Sequence, residues 1–130
     1  MPTREDIESY FLRYQIAHKE VSPEGIWLLK DQSSGENIVV SLAGPLLLFR
    51  VKVLELGEVK DQSALFAELL RLNAADLVHG AYGIADDAVV LTCALQLENL
   101  DYNEFQSTID DFSLALTKHY ETLAKYRKVA

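Results

Sequence analysis

Residues 77–116, LVHGAYGIADDAVVLTCALQLENLDYNEFQSTIDDFSLAL, hold the pattern that decides the fold. Two apolar stretches, 77–85 and 88–97, flank the acidic pair Asp86 and Asp87. In the second stretch apolar side chains occupy alternate positions, which is the period of a strand with one buried face. That face comprises Val89, Leu91, Cys93, Leu95 and Leu97. Because only two residues link the stretches, we predict a β-hairpin.

A helix is predicted directly after this hairpin. Asp101 is placed to cap its first turn, with Glu104 three residues later in a capping-box arrangement. Apolar side chains then recur at spacings of four and three, which is a helical period. The apolar stripe holds Phe105, Ile109, Phe112, Leu116, Leu123 and Tyr126. We expect His119 to lie at the boundary of this stripe, with Tyr120 turned inward.

The N-terminal residues predict another helix. Thr3 can cap it, with Asp6 three residues on. The breaker SPEG at 22–25 follows, so we expect the helix to end near His18 or Lys19. Its apolar face comprises Ile7, Tyr10, Phe11, Tyr14 and Ala17.

Three strands and one further helix are predicted between the N-terminal helix and the hairpin. The helix is capped by Asp61 or Ser63 and stops at Asn73. Short turns between strands favour antiparallel pairing. The strands are predicted at 26–30, 37–42 and 46–56. The order is therefore α-β-β-β-α-β-β-α, and we predict an α+β fold with one antiparallel sheet of about five strands and helices packed on it.

Composition limits the classes of function. The 130 residues fit one domain, 1–130, with apolar residues at 49% and charged residues at 25%. The net charge of −8 disfavours a nucleic-acid or anionic-membrane partner. One cysteine excludes an internal disulfide and a CxxC site. The charged first residues lack the apolar segment of a signal peptide, so we expect a cytoplasmic protein.

Residues that could carry chemistry have simpler structural interpretations. His79, Asp86 and Asp87 could suggest a metal or acid–base site, but neighbouring strand side chains point to opposite faces. We expect solvated turn carboxylates and a histidine at a strand edge. Cys93 has no cation near it in sequence and is expected as a small core residue. GAYG at 80–83 lacks phosphate-loop spacing and indicates close backbone packing. No catalytic residue, metal ligand or cofactor is predicted.

The third predicted strand has apolar side chains on both faces. The inner face would hold Leu47, Phe49, Val51 and Val53, and the outer face Leu46, Leu48 and Leu54 beside Arg50 and Lys52. A sheet with one face in water normally has polar residues on that face. The outer leucines are therefore covered either by the chain's own helices or by another protein, and both interpretations remain open.

Several segments in the second half of the chain carry a family resemblance. They are LLRLN at 69–73, GAYGI at 80–84, DDAVVL at 86–91, LENLD at 97–101, and the pair Phe105 and Phe112. With the order of elements, the length and the acidic pI, they resemble the type III secretion chaperone-like fold of Tir-type chaperones and YbjN-like bacterial proteins. The resemblance implies a small cytoplasmic homodimer, paired through the second helix, that binds an extended segment of a partner protein without catalysis or cofactor.

Our functional hypothesis is a non-enzymatic, chaperone-like protein-binding module. The alternative is a small-ligand-binding or enzyme-associated α+β domain, because apolar pockets leave little trace in a sequence. The predicted partner-binding residues are Ile26, Trp27, Leu46, Leu48, Arg50, Lys52 and Leu54. The second helix is apolar beyond one packing stripe, which predicts a homodimer interface. That interface is predicted to use Leu65, Phe66, Leu69, Leu70 and Leu72.

Overall fold

The computed structural model describes residues 1–128, so the predicted domain 1–130 ends two residues outside the described range. The elements form an α+β arrangement in which the last helix is interrupted. No helix within residues 1–128 is long and apolar enough to cross a membrane. The elements are α1 (Arg4–Tyr14), β1 (Ala17–Ser22), β2 (Ile26–Lys30), β3 (Asn37–Ala43), β4 (Leu46–Glu55), a short 3-10 turn (Leu56–Glu58), α2 (Gln62–Ala75), β5 (Ala81–Ala85), β6 (Ala88–Gln96), α3 (Tyr102–Lys118) and α4 (Tyr120–Ala124).

All strands join one antiparallel sheet in the order β1-β2-β3-β4-β6-β5. The predicted fold class is confirmed, and the hairpin of β5 and β6 is present. The sheet has six strands because β1 replaces the predicted end of the first helix. That helix stops at Tyr14, since Gln15 adopts a left-handed conformation with φ 64°. Nearly all of β1 is exposed, so its sequence lacks the alternation that marks a strand.

Other boundaries differ from prediction near the ends of helices. α2 continues past Asn73 to Ala75, and residues 77–80 form a connection instead of the start of β5. The last helix breaks at His119 into α3 and α4. The caps were predicted correctly: side chains of Thr3 and Asp101 accept hydrogen bonds from backbone N–H groups three residues on, and Asp61 does the same for α2.

The core lies between one face of the sheet and the helices α1 and α3. Phe11 of α1 packs edge-on against Trp27 of β2, and Phe105 and Phe112 of α3 both contact Phe49 of β4. All five rings are buried. Of the predicted core, Ile7, Val51, Leu91, Ile109 and Leu116 are also buried, while Tyr10, Tyr14, Cys93 and Leu95 pack half-buried at its margin.

Candidate functional site

The sheet face turned away from α1 and α3 is the first candidate site, and we call it the outer face. Because strand side chains alternate, its members are the neighbours of buried core residues such as Trp27 and Phe49. Its outward strand positions include Lys19, Ile26, Leu28, Lys30, Val39, Ser41, Leu46, Leu48, Arg50, Lys52, Glu55, Thr92 and Ala94.

Apolar side chains form the floor of the outer face. Strand register places Leu28 opposite Val39, and Ser41 opposite Leu48. Leu28, Val39 and Leu48 are each half-buried. Val39 and Leu48 line a concavity of about 500 Å³, and Leu28 lines another of about 220 Å³. These depressions can receive apolar side chains from an extended segment.

Five of the predicted partner-binding residues lie on the outer face. Ile26, Leu46 and Leu48 are half-buried there, and Arg50 and Lys52 are exposed. Lys52 donates a hydrogen bond to Glu55 at 2.5 Å, and this contact raises the pKa of the lysine. The location predicted for these five residues is thus correct, and their binding role stays a prediction.

Two of the predicted partner-binding residues lie in the core instead. Trp27 is 0% exposed, and its Nε1 donates to Glu8 at 3.1 Å. Adjacent residues of a strand face opposite sides, so Ile26 and Trp27 cannot both point outward. Leu54 is 3% exposed because a bulge between Lys52 and Leu54 reverses the alternation. The same bulge displaces Val53 from the inner row in which it was predicted. Its side chain is half-buried.

The second candidate surface lies on α2. Leu65 and Leu69 belong to the chain's own core, which corrects their assignment to a dimer interface. Leu72 and Phe66 are half-buried against that core. Leu70 is 68% exposed. Phe66, Leu70 and Ile84 line a shallow apolar concavity of about 200 Å³, and we call these three residues the α2 patch.

Asn73 positions this patch, a role that sequence reasoning missed. Its side-chain Nδ2 donates to the backbone carbonyl of Tyr82 at 3.1 Å, and its Oδ1 accepts from the N–H of Tyr82 at 2.7 Å. α2 therefore lies along the free edge of β5. A polar residue near the end of an apolar helix is also typical of a helix stop, so the sequence offered no signal that distinguished the two roles.

A polar cluster around the buried His119 joins α2, β5 and the α3–α4 joint. His119 is 3% exposed, with Nδ1 2.7 Å from the hydroxyl of Tyr82 and Nε2 3.0 Å from Asp76. Tyr120 is exposed instead, so the expected positions of these two neighbours were wrong. Hydrogen bonds from His119 and Lys118 lower the pKa of Asp76, whereas burial raises the pKa of Tyr82. Because a carboxylate only accepts, Nε2 of His119 donates to Asp76, while Nδ1 and the Tyr82 hydroxyl form the second hydrogen bond.

The remaining candidate residues do not converge on one site. His79 contacts Asp111 of α3, while Asp86 and Asp87 are exposed at the β5–β6 turn. Among residues 1–128, no group of three or more His, Cys, Asp or Glu side chains could hold a metal ion. Cys93 is half-buried, and burial raises the pKa of its thiol.

Gly80 confirms the predicted close backbone packing. Its φ is +84°, and a Cβ there would lie 2.5 Å from the carbonyl oxygen of Thr92. Any larger residue would separate β5 from β6 or strain the connection.

The arrangement of helices and sheet agrees with a comparison against protein families. The family model CesT_Tir_1 matches residues 1–129. The chain belongs to the CesT/Tir family. Among curated proteins, none matches the chain significantly.

Solved structures show the same fold as this CesT/Tir family member. YbjN from E. coli is 16% identical, with 93% of each chain covered and a TM-score of 0.67. The heterodimeric complex ExoU–SpcU from the type III secretion system of Pseudomonas aeruginosa gives 15% identity, coverage of 94% and 98%, and a TM-score of 0.68. The Yersinia pestis type III secretion chaperone SycH, solved with a fragment of YscM2, is 12% identical. The match covers 89% of this chain and 98% of SycH, with a TM-score of 0.65. The predicted resemblance is confirmed at the level of fold.

Proposed function

We propose that this protein is a non-enzymatic chaperone-like module that binds an extended segment of a partner protein on the outer face of its sheet. The observation that carries the proposal is the half-buried apolar floor of Leu28, Val39 and Leu48 on a face that α1 and α3 leave open. A solvated sheet face normally carries polar side chains, and contiguous apolar surface marks interaction sites. The proposal treats 1–130 as one domain acting in the cytoplasm.

Docking across the outer face is favoured over addition of a strand at a sheet edge. At one edge, Asn73 already occupies the backbone groups of Tyr82 in β5. At the other edge, β1 carries Lys19 and Glu20 and a bulge between Glu20 and Ser22, features that discourage strand pairing. The concavities around Leu28 and Leu48 offer side-chain pockets without such obstacles.

Relatives of the same fold support the partner class. SycH was solved with a fragment of YscM2, and SpcU in a heterodimer with ExoU. A protein partner agrees with the family of this chain and with its open apolar face.

A homodimer formed through the α2 patch is the second part of the proposal. Leu70 and Ile84 are both more than half exposed and line one concavity with Phe66. Residues of this kind lose unfavourable contact with water when two copies meet. The two surfaces are distinct, so a dimer would leave both outer faces open.

Affinity capture tests the proposed surface. Wild type and a Leu46→Asp/Leu48→Asp variant serve as bait in lysate of the native host, with Leu114→Asp as matched control, because Leu114 is an exposed leucine of α3. We expect wild type and the control to retain a common partner that the double variant loses. A folded double variant that retains every partner shows that the surface is wrong. If wild type captures no protein, the binding function is wrong as well.

A further inference from the structure

The outer face has a charge opposite in sign to that of the whole chain. The chain has a net charge of −8, yet outward strand positions hold Lys19, Lys30, Arg50 and Lys52. One carboxylate shares this face: Glu55, at the end of β4, which pairs with Lys52. Within residues 1–128, no carboxylate oxygen lies within 4.0 Å of the charged nitrogens of Lys19, Lys30 or Arg50. Three cations of the outer face thus lack a counterion in the described chain.

These cations lie on either side of the apolar floor. Strand register forms one row across the sheet, Lys19, Leu28, Val39 and Arg50. Adjacent strands lie about 4.8 Å apart, so Lys19 and Arg50 are separated by roughly 14 Å at the backbone. Lys30 and Lys52 extend the two cationic sides along β2 and β4. An extended chain covers that span in about four residues.

We propose that the outer face selects an extended partner segment in which acidic residues, about four positions apart, flank apolar ones. This inference rests on the proposed function and specifies the chemistry of the segment. The apolar side chain midway between the two carboxylates points to the same face as they do and contacts the floor at Leu28, Val39 and Leu48, and the carboxylates accept hydrogen bonds from the lysines and from Arg50. Charge complementarity of this kind sets partner choice and register more than total affinity.

The same observations favour a peptide over a nucleic acid. A single-stranded nucleic acid stacks its bases on aromatic side chains. No aromatic side chain occupies an outward strand position of the described sheet, since Trp27, Phe49 and Tyr82 all face the core. The floor at Leu28, Val39 and Leu48 is aliphatic, which suits leucine and valine side chains of a protein segment.

Three labelled peptides of equal length test the inference by fluorescence anisotropy at physiological ionic strength. Their sequences are SGELVLESG, SGQLVLQSG and SGKLVLKSG. Wild type is compared with Lys19→Glu/Arg50→Glu. The matched control is Lys60→Glu/Lys125→Glu, which makes the same change in net charge at exposed cations outside the strands. We expect wild type and the control to bind the glutamate peptide roughly threefold to tenfold more tightly than the glutamine peptide, and the lysine peptide most weakly.

Reversal is the decisive result, because misfolding cannot produce it. The Lys19→Glu/Arg50→Glu variant should bind the lysine peptide most tightly. Equal affinity for the glutamate and glutamine peptides, with both lost in Leu48→Asp, overturns charge selection and leaves the proposed function standing. Failure of all three peptides to bind counts against both the charge selection and the proposed function. Displacement of the glutamate peptide by a thymidine oligonucleotide that binds more tightly overturns the inference in favour of a nucleic acid.

Discussion

The side-chain amide of Asn73 in α2 pairs with the backbone of Tyr82 in β5 as a neighbouring strand would. Its Oδ1 accepts from the N–H at 2.7 Å, and its Nδ2 donates to the carbonyl oxygen at 3.1 Å. β5 is an edge strand, and unpaired edge groups invite pairing with other chains. Asn73 therefore satisfies both backbone groups of Tyr82 at this edge and holds α2 beside β5, with Leu70 exposed to solvent.

Asn73→Ala should destabilise the fold because it leaves two backbone groups of Tyr82 without their partner. We expect a loss of about 1–3 kcal/mol in the free energy of unfolding, the cost of an unsatisfied, largely buried polar group. Urea denaturation measures it. Asn103→Ala is the control, since Asn103 is exposed in the first turn of α3. Equal midpoints for the two variants would contradict the role assigned to Asn73.

The faces of the sheet should differ sharply in their tolerance of substitution. Trp27→Ala removes a fully buried ring that packs on Phe11, so we expect a loss of about 3–5 kcal/mol. Leu48→Ser on the outer face should change stability by less than about 1 kcal/mol in the absence of a partner. Thermal and urea unfolding of both variants checks this. Similar losses for the two would show that Leu48 is part of the core.

Local sequence patterns predicted the helix caps well. They failed where the structure depends on a single irregularity, such as a β-bulge. The caps at Thr3 and Asp101 are local patterns and were found as predicted. β6 forms a strand as predicted, but Val90 is buried like its neighbours Val89 and Leu91, so the first half of the strand shows no alternation in burial. The strand β1 was missed because its exposed side chains do not alternate. The face of Leu54 was wrong because a bulge consumes one residue, an event without a signal in composition.

The polar cluster around the buried His119 was missed for a different reason. Its partners Tyr82 and Asp76 lie 37 and 43 residues away in sequence, so only the tertiary fold brings them together. A single histidine in a helical stripe does not indicate which distant groups will satisfy it.

Tyr82→Phe should make the protein less sensitive to alkaline pH. Burial raises the pKa of the Tyr82 hydroxyl in the folded state. An unfolded tyrosine loses its proton near pH 10, so Tyr82 contributes stability below that pH and loses it progressively as the pH rises further. Wild type should therefore lose more unfolding free energy between pH 9 and pH 11 than the variant. Tyr120→Phe is the control because Tyr120 is exposed. If Tyr82→Phe loses as much unfolding free energy between pH 9 and pH 11 as wild type and the control do, the role assigned to the Tyr82 hydroxyl is wrong.

Asp76→Asn should have the opposite pH signature. Hydrogen bonds from His119 and Lys118 hold the pKa of Asp76 below its ordinary value in the folded state. The carboxylate therefore contributes stability above its unfolded pKa, and that stability is lost as the pH falls through the folded value. The difference in unfolding free energy between pH 7 and pH 3 should be smaller in the variant than in wild type. Asp87→Asn, at the exposed β5–β6 turn, should keep the wild-type difference.

Substitution of the α2 patch should separate dimerisation from partner binding. Leu70→Asp/Ile84→Asp places two charges at side chains that are 68% and 53% exposed in the described chain, so the monomer can keep them solvated. A charge buried between two copies without a counterion is strongly unfavourable.

Sedimentation across a dilution series should show a dimer for wild type and a monomer for the variant, with unchanged unfolding of the monomer. Leu114→Asp, a leucine of 62% exposure on α3, should remain dimeric. If wild type is monomeric at micromolar concentration, or if the α2-patch variant sediments as wild type does, the α2 patch is not a dimer interface. Ile84 pairs with the core residue Val89, so neither substituted residue belongs to the outer face, and the monomeric variant should still bind the partner segment.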